Sequence, residues 1–188
     1  MPKQDFLSKK DLYPEALFGI VRPACNSWST TMAKQYWLMK SDPDEFSIND
    51  LKNRPNRTEC WDGVRNYQAR NFMRDDMQVG DPVLFYHSGK SPAVVATARV
   101  AAKGYPDPTA WNPESRHYDP RSTPHKPVWY MVDIQLENVF PRPLPLAELR
   151  TRPALKEMLL LRKGNRLSVM PVTPGEFHTI VKIAGKKI

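Results

Sequence analysis

Apolar and polar positions along the chain change period several times, and each change marks an element. Tyr36-Trp-Leu-Met-Lys40 reads as a strand that Ser41-Asp42-Pro43 ends. Ser47-Ile-Asn-Asp50 has the form of a capping box, with Asp where Glu is more usual, and opens a short helix that stops near Asn53, ahead of Pro55. From Asn66 the spacing of Ala69, Phe72, Met73 and Met77 lays out one apolar helical face, with Gly80 placed as a C-cap. Val83 to Ser88 and Val94 to Val100 read as strands joined through Gly89 and Pro92. In the first, Val83, Phe85 and His87 face one way and Leu84, Tyr86 and Ser88 the other.

The second half is more irregular. Tyr105 to Pro127 is rich in proline and lacks periodicity, which predicts a long loop. Strict alternation of Val128, Tyr130, Val132, Ile134 and Leu136 predicts a long strand. Leu146 to Leu161 is helical in pattern but interrupted at Pro153. Leu167 to Val172 is a last strand, and Pro174 to about Ile183 fits a closing helix with proline in its first turn. Five or six strands among short helices, without a βαβ rhythm, predict an α+β domain on a small, mixed, strongly curved sheet or barrel. Residues 1–33 show no sustained period and no signal-peptide core, and read as an N-terminal extension. Met32 then reads as the natural start, with the residues before it a mis-called extension or a loose tail, and one domain is expected over 34–188.

Composition adds a polyanionic partner as a candidate. The chain of 188 residues carries 28 Lys and Arg against 20 Asp and Glu, a net charge of +8. No apolar run approaches the ~20 residues of a membrane span, so a soluble protein is expected. Two cysteines, Cys25 and Cys60, suit neither a disulfide framework nor a zinc site. Neither GxGxxG nor GxxxxGK[ST] occurs, so a doubly wound nucleotide fold is disfavoured. The four histidines are scattered. A metal set of His117, Asp119 and His125 on the long loop is conceivable against a plain solvated loop. No G-x-S-x-G elbow exists, and His87 and Ser88 point to opposite faces of their strand.

The stretch Trp61-Asp-Gly-Val-Arg-Asn-Tyr-Gln-Ala-Arg is the most informative. An indole offers a stacking surface for a flat heterocycle, an asparagine amide can read a base edge, and arginines hold phosphate. Asn66, Arg70 and Arg74 at i, i+4 and i+8 would form a polar stripe. Spacing alone leaves a second reading open, in which Trp61 is core and the arginines pair with Asp62, Asp75 and Asp76.

Six blocks in order, Tyr36–Pro43, Trp61–Phe72, Val79–Asp81, Phe85–Ser88, Tyr105–Trp111 and Arg166–Val172, resemble the signatures of the EVE domain, the thymocyte nuclear protein family within the PUA-like superfamily. The resemblance runs from about Gln35 to Gly185. Two departures stand out: Lys-Ser-Asp-Pro replaces Lys-Ser-Glu-Pro, and Pro92–Ala98 replaces a glycine-rich strand that would let a ligand backbone approach. The resemblance implies a PUA-like pseudo-barrel with surrounding short helices and one side pocket. It further implies a non-catalytic reader of a modified nucleobase, most simply a modified cytosine, in DNA or RNA. The alternative is an enzyme acting on a nucleobase or small heterocycle in the same pocket, with Tyr86, His87 and Asp42 as its acid–base groups. No cofactor and no metal are implied. The expected compartment is the cytoplasm for a bacterial-type stand-alone protein and the nucleus for a eukaryotic one.

On that resemblance the candidate ligand-binding residues are Lys40, Ser41, Trp61, Arg65, Asn66, Arg70, Tyr86, His87, Ser88, Trp111 and Arg166. Trp61 is the expected stacking platform and Asn66 the reader of the base edge. Tyr86 and Ser88 are expected on the pocket side with Lys40 and Ser41, and His87 points away unless a bulge reverses it. Arg65, Arg70 and Arg166 are candidates for ligand or phosphate contact. Trp111 is either a mobile second wall or an ordinary loop anchor. Trp37 and Trp129 are read as packing residues.

Overall fold

The computed structural model describes residues 33–185. The extension expected over 1–33, its boundary at Met32, and Cys25 therefore lie outside the described residues, Ala33 excepted. Six strands form one sheet: β1 (Tyr36–Ser41), β2 (Thr58–Cys60), β3 (Pro82–His87), β4 (Ala93–Pro106), β5 (Tyr130–Pro145) and β6 (Val169–Val172), in the order β2-β5-β4-β3-β1-β6. β1 and β3 run parallel and the other neighbours antiparallel, so the sheet is mixed, as its strand pattern predicts. β2 and β6 are its edges, and the ladder does not close into a barrel among the described residues.

Alternation along the strands builds a core on each side. Trp37, Met39, Val83 and Phe85 belong to one cluster, which Ile48, Leu51, Trp61, Met73 and Met77 complete. Leu38, Leu84 and Tyr86 belong to the other, under Leu149, Leu155, Phe177 and Ile180. The Pro92–Ala98 departure from the family pattern falls within and just before β4, where Ala93, Val94, Val95, Ala96 and Ala98 are buried. At the edge of the first core, Trp37 Nε1 donates to the buried Asp81 carboxylate at 3.1 Å, which also accepts from the backbone of Gln35 and Gln78.

The helices are short, and local chemistry ends most of them. α1 (Ile48–Asn53) starts on the full capping box of Ser47 and Asp50, which satisfies two otherwise orphan N–H groups. α4 (Pro174–Ile183) starts on a second box, Thr173 with Glu176. α2 (Tyr67–Asn71) is capped by Asn66 and differs from its expected form. At Phe72–Asp76 the chain widens into a π turn, and Met77 N–H bonds Phe72 O. The extra residue keeps Phe72, Met73 and Met77 all against the sheet. Of the expected polar stripe, Asn66 caps α2, Arg70 reaches Val128 O and Arg74 lies 5.6 Å from the Tyr130 ring. Gly80, at φ +92, belongs to the next turn and not to a helix end.

Three other expectations need correction. β4 and β5 extend well past their predicted ends, because β-bulges break the alternation that would have revealed them. Leu146–Leu161 holds a single α turn, α3 (Leu146–Arg150), followed by two 3-10 turns. β2, only three residues long, has no period to read. The π turn also explains a glycine. A Cβ on Gly104 would lie 2.3 Å from Met73 O and 2.8 Å from Arg74 Cα, a clash of backbone on backbone. Gly104→Ala is expected to destabilise the protein by about 1–3 kcal/mol, as overpacking does. An unchanged urea midpoint would show that β4 and the π turn do not pack this closely.

Candidate functional site

β2 delivers Trp61 to the first core: its N–H bonds Val132 O at 2.7 Å, one step beyond the ladder with β5. The indole meets Phe85 edge to face at 5.4 Å and Phe46 at 6.5 Å. It is 7% exposed and packs in the first core cluster, as in the second reading that spacing left open. The chain then turns at Gly63, at φ +76, where a Cβ would stand 2.7 Å from the His117 ring. Only glycine satisfies both the backbone angle and the imidazole above it.

Arg65 is the next residue whose place is decided by geometry. Its Nε and Nη2 donate to His117 O, Nη1 to Val64 O and to the Asp107 carboxylate at 2.8 Å, and Nη2 to Thr109 Oγ1. Those contacts engage all five donors of a guanidinium. The expected ligand or phosphate contact by Arg65 is thereby corrected: the side chain is a clamp. Asp107 is fully buried and accepts from Gly63 N–H at 3.0 Å and from Thr109 as well. Burial works against its ionisation, yet the hydrogen bonds from Thr109, Arg65 and Gly63 outweigh it and hold the carboxyl below its ordinary range.

Asn66 is also engaged. Its Oδ1 accepts from Gln68 N–H at 2.9 Å and Ala69 N–H at 3.1 Å, so it caps α2. An acceptor used twice in this way does not read a base edge. Arg70 donates to Val128 O and Asn71 Oδ1 beside the Tyr67 and Trp129 rings.

The sheet separates the remaining candidates. His87 lies on the Trp61 side, with its ring 5.6 Å from Phe85. Tyr86 and Lys40 share the opposite side, Lys40 Nζ 6.0 Å from the Tyr86 ring. The expected grouping of Tyr86 and Lys40 with Trp61 is thus reversed in favour of His87. β1 and β3 run parallel and in register, so Lys40 follows Tyr86 to its face. His87 Nε2 accepts from Ile48 N–H at 3.0 Å, which fixes a neutral ring with its proton on Nδ1. Burial lowers its pKa against the pull of Asp42. Ser41 and Ser88 do come together: Ser88 N–H and Oγ both donate to Ser41 O, and Ser41 Oγ donates to Phe46 O at 2.7 Å.

Lys40 N–H bonds Ser168 O at 2.7 Å, which sets the exposed Arg166 off the end of β1. Burial lowers the Lys40 pKa. Trp111 is half-buried and ends a 3-10 turn that Asp107 caps. Arg116 pairs with Glu45, which brings residues 115–117 of the long loop across to the β1–α1 turn. Among the described residues no three His, Cys, Asp or Glu side chains gather as for a metal. Asp119 is bonded to Arg121 and to Trp129 Nε1. Asp107 and Phe46 are residues that pattern reading missed, and His117, weighed there only as a metal ligand, lies instead over the Gly63 turn. Of these only Asp107 carried a signal, as the Asp-Pro-Thr start of a capped turn.

Comparison with known proteins gives a consistent picture. The EVE domain family profile matches residues 35–183. Human thymocyte nuclear protein 1 is 41% identical over 170 residues, covering 81% of this chain and 75% of that protein. A crystal structure of human THYN1 in complex with DNA containing 5-methylcytosine superposes with a TM-score of 0.76 at 40% identity, covering 82% of this chain and 100% of that one. A Pseudomonas putida protein of known structure is 49% identical with a TM-score of 0.74, over 79% of this chain and 99% of that one.

Removing the charge at Asp107 while keeping its shape, Asp107→Asn, leaves Arg65 without its counterion. A loss toward the lower end of about 3–5 kcal/mol is expected in urea unfolding, because Arg65 retains some solvent. The pH dependence has a definite sign. His87 and His117 both have folded pKa values below the ordinary 6.5, and Asp107 has one below 3.8. Each takes up its proton less readily in the folded chain than in the unfolded one, so its contribution is complete above the ordinary value and lost as pH falls through the folded one. Stability should therefore decline in two acid stages, the first shared by the histidines. His87→Gln, which can still accept from Ile48, should shrink that first stage; an unchanged acid limb would contradict the neutral His87.

Proposed function

The chain belongs to the EVE domain family, and from that premise we propose that it reads modified cytosine in DNA, receiving one base turned out of its strand and leaving it chemically unchanged. The observation that carries the reading is the human relative, 40% identical, crystallised with DNA containing 5-methylcytosine. The base is placed against Trp61, between the Asp62-Gly63 turn, Phe46 and His87. Trp61 supplies the floor. His87, with Nε2 engaged, presents Nδ1–H to the ring acceptors of a cytosine. Asp62 has the carboxylate chemistry that accepts from the exocyclic amine.

Trp61 is buried, so stacking on it requires the nearby loop to give way. The segment nearest the turn is 115–117, tied by two Arg65 hydrogen bonds to His117 O, which loop movement must break or carry along, and by the Arg116–Glu45 pair. Both partners of that pair are exposed, and such pairs contribute only about 0–1 kcal/mol. Arg166, exposed beyond the end of β1, is the group assigned to phosphate. A nuclear location in a eukaryotic cell is in keeping with the name its animal relatives carry.

Turning a base out costs a few kcal/mol, and stacking with edge hydrogen bonds offsets it. The methyl group itself contributes on the order of 1 kcal/mol. Fluorescence anisotropy with matched oligonucleotides should give a preference for 5-methylcytosine over cytosine of roughly fivefold. Trp61→Ala should weaken binding about 5- to 100-fold and remove the preference. Nucleosides recovered after incubation should be unaltered. Equal affinity for modified and unmodified strands would sink the proposal.

A further inference from the structure

A second aromatic surface lies outside the Trp61 site. Tyr67 is 48% exposed although it is the first residue of α2, next to the capping Asn66. Its ring stacks on the buried Trp129, with centroids 4.9 Å apart and planes 26° from parallel. Arg65 in turn lies 5.4 Å from the Trp129 indole. The Trp129 Nε1–H is held by Asp119 at 2.8 Å. The column is therefore anchored at depth by Arg65, whose donors are all engaged, and by the Asp119 hydrogen bond.

The outer face of Tyr67 is open. Arg70 stands 5.0 Å from the Tyr67 ring and 6.0 Å from the Trp129 ring. A guanidinium on the far face of Tyr67 would be separated from Trp129 by nearly the sum of the two ring spacings. Arg70 is much nearer than that, so it flanks the pair and leaves the outer face uncovered. Arg121 stands near the Tyr67 hydroxyl, and its Nε and Nη2 hold Asp119. Arg70 commits Nε to Asn71 Oδ1 and Nη1 to Val128 O, and the exposed Arg121 commits Nε and Nη2 to Asp119, so each five-donor guanidinium has donors beyond these bonds.

We propose that Tyr67 is a second stacking platform, for an unpaired nucleobase flanking the modified one, with Arg70 and Arg121 receiving its phosphates. Two cations beside a flat, open, rigidly backed ring suit a nucleotide better than an apolar protein segment. The platform is indifferent to base identity and to methylation, because every base has a π face. It rests on the nucleic-acid reading above, but not on which base that reading selects.

The test uses the full chain with single-stranded oligonucleotides in which 2-aminopurine replaces each neighbour of the modified cytosine in turn. Tyr67→Ala should weaken binding about 5- to 100-fold for modified and unmodified strands alike, leaving their ratio unchanged, while Tyr67→Phe stays within about twofold of the parent. One flanking 2-aminopurine should be quenched by the parent protein and not by Tyr67→Ala. Tyr67→Leu, which keeps apolar cover on Trp129 without a ring, should behave like the alanine variant and guards against a folding defect. Parent-like affinity and quenching in both ring-less variants would overturn the platform, whether or not methylation is discriminated. Weakened binding in a protein that shows no preference for modified cytosine would leave the platform standing and remove the base-reading proposal instead.

Discussion

A buried carboxylate must be paired, and the way Asp107 is paired organises most of the surface on the Trp61 side. Its oxygens take hydrogen bonds from Gly63 of the turn after Trp61, from Thr109 of the long loop, and from Arg65. An unpaired charge at that depth would be far more costly than any single contact around it. The turn after Trp61 and the start of the long loop therefore cannot separate without exposing or stranding the charge. Arg65 carries the constraint further, since its remaining donors fix His117 O and its plane supports Trp129. One ion pair thus positions the Gly63 turn, the imidazole above it and the base of the Tyr67 column.

The sheet supplies the second constraint, which is one of sides. Strands have a period of two, so a residue's neighbour in sequence is on the other face. His87 and Tyr86 are consequently in different cores, and no movement short of a register slip exchanges them. This decides the chemistry available near Trp61. A neutral imidazole with one free proton is a hydrogen-bond donor to a heterocycle. The Tyr86 phenol, whose pKa burial raises, lies behind the sheet. The acid–base trio once conceivable for Tyr86, His87 and Asp42 is divided by the same geometry.

Local signals were legible in the chain and distant ones were not. Ser47 with Asp50 and Thr173 with Glu176 announce their helices because a capping box is complete within four residues. The mixed, α+β character followed from alternation, and the family from six ordered blocks. The role of Arg65 was hidden because its counterion is 42 positions away and its type alone fits phosphate equally well. Asn66 misled for a related reason: the same amide that could read a base is a good N-cap, and the cap is the nearer partner. The π turn and the bulges of β4 and β5 each insert a residue that no periodic template anticipates.

On the reading proposed above, selectivity and affinity come from different parts of the molecule. A methyl group buried against an aromatic wall contributes on the order of 1 kcal/mol, which limits how far any pocket can separate the modified base from the plain one. Opening the strand already costs a few kcal/mol, and lifting the loop beside Trp61 adds to that. A useful complex therefore needs binding energy that does not depend on the methyl group at all. Under the same proposal Arg70, Arg121 and the Tyr67 face are groups of that kind, raising the affinity for every sequence equally. They make the turned-out state populated enough for the small difference at Trp61 to be read, without altering the ratio that the difference sets.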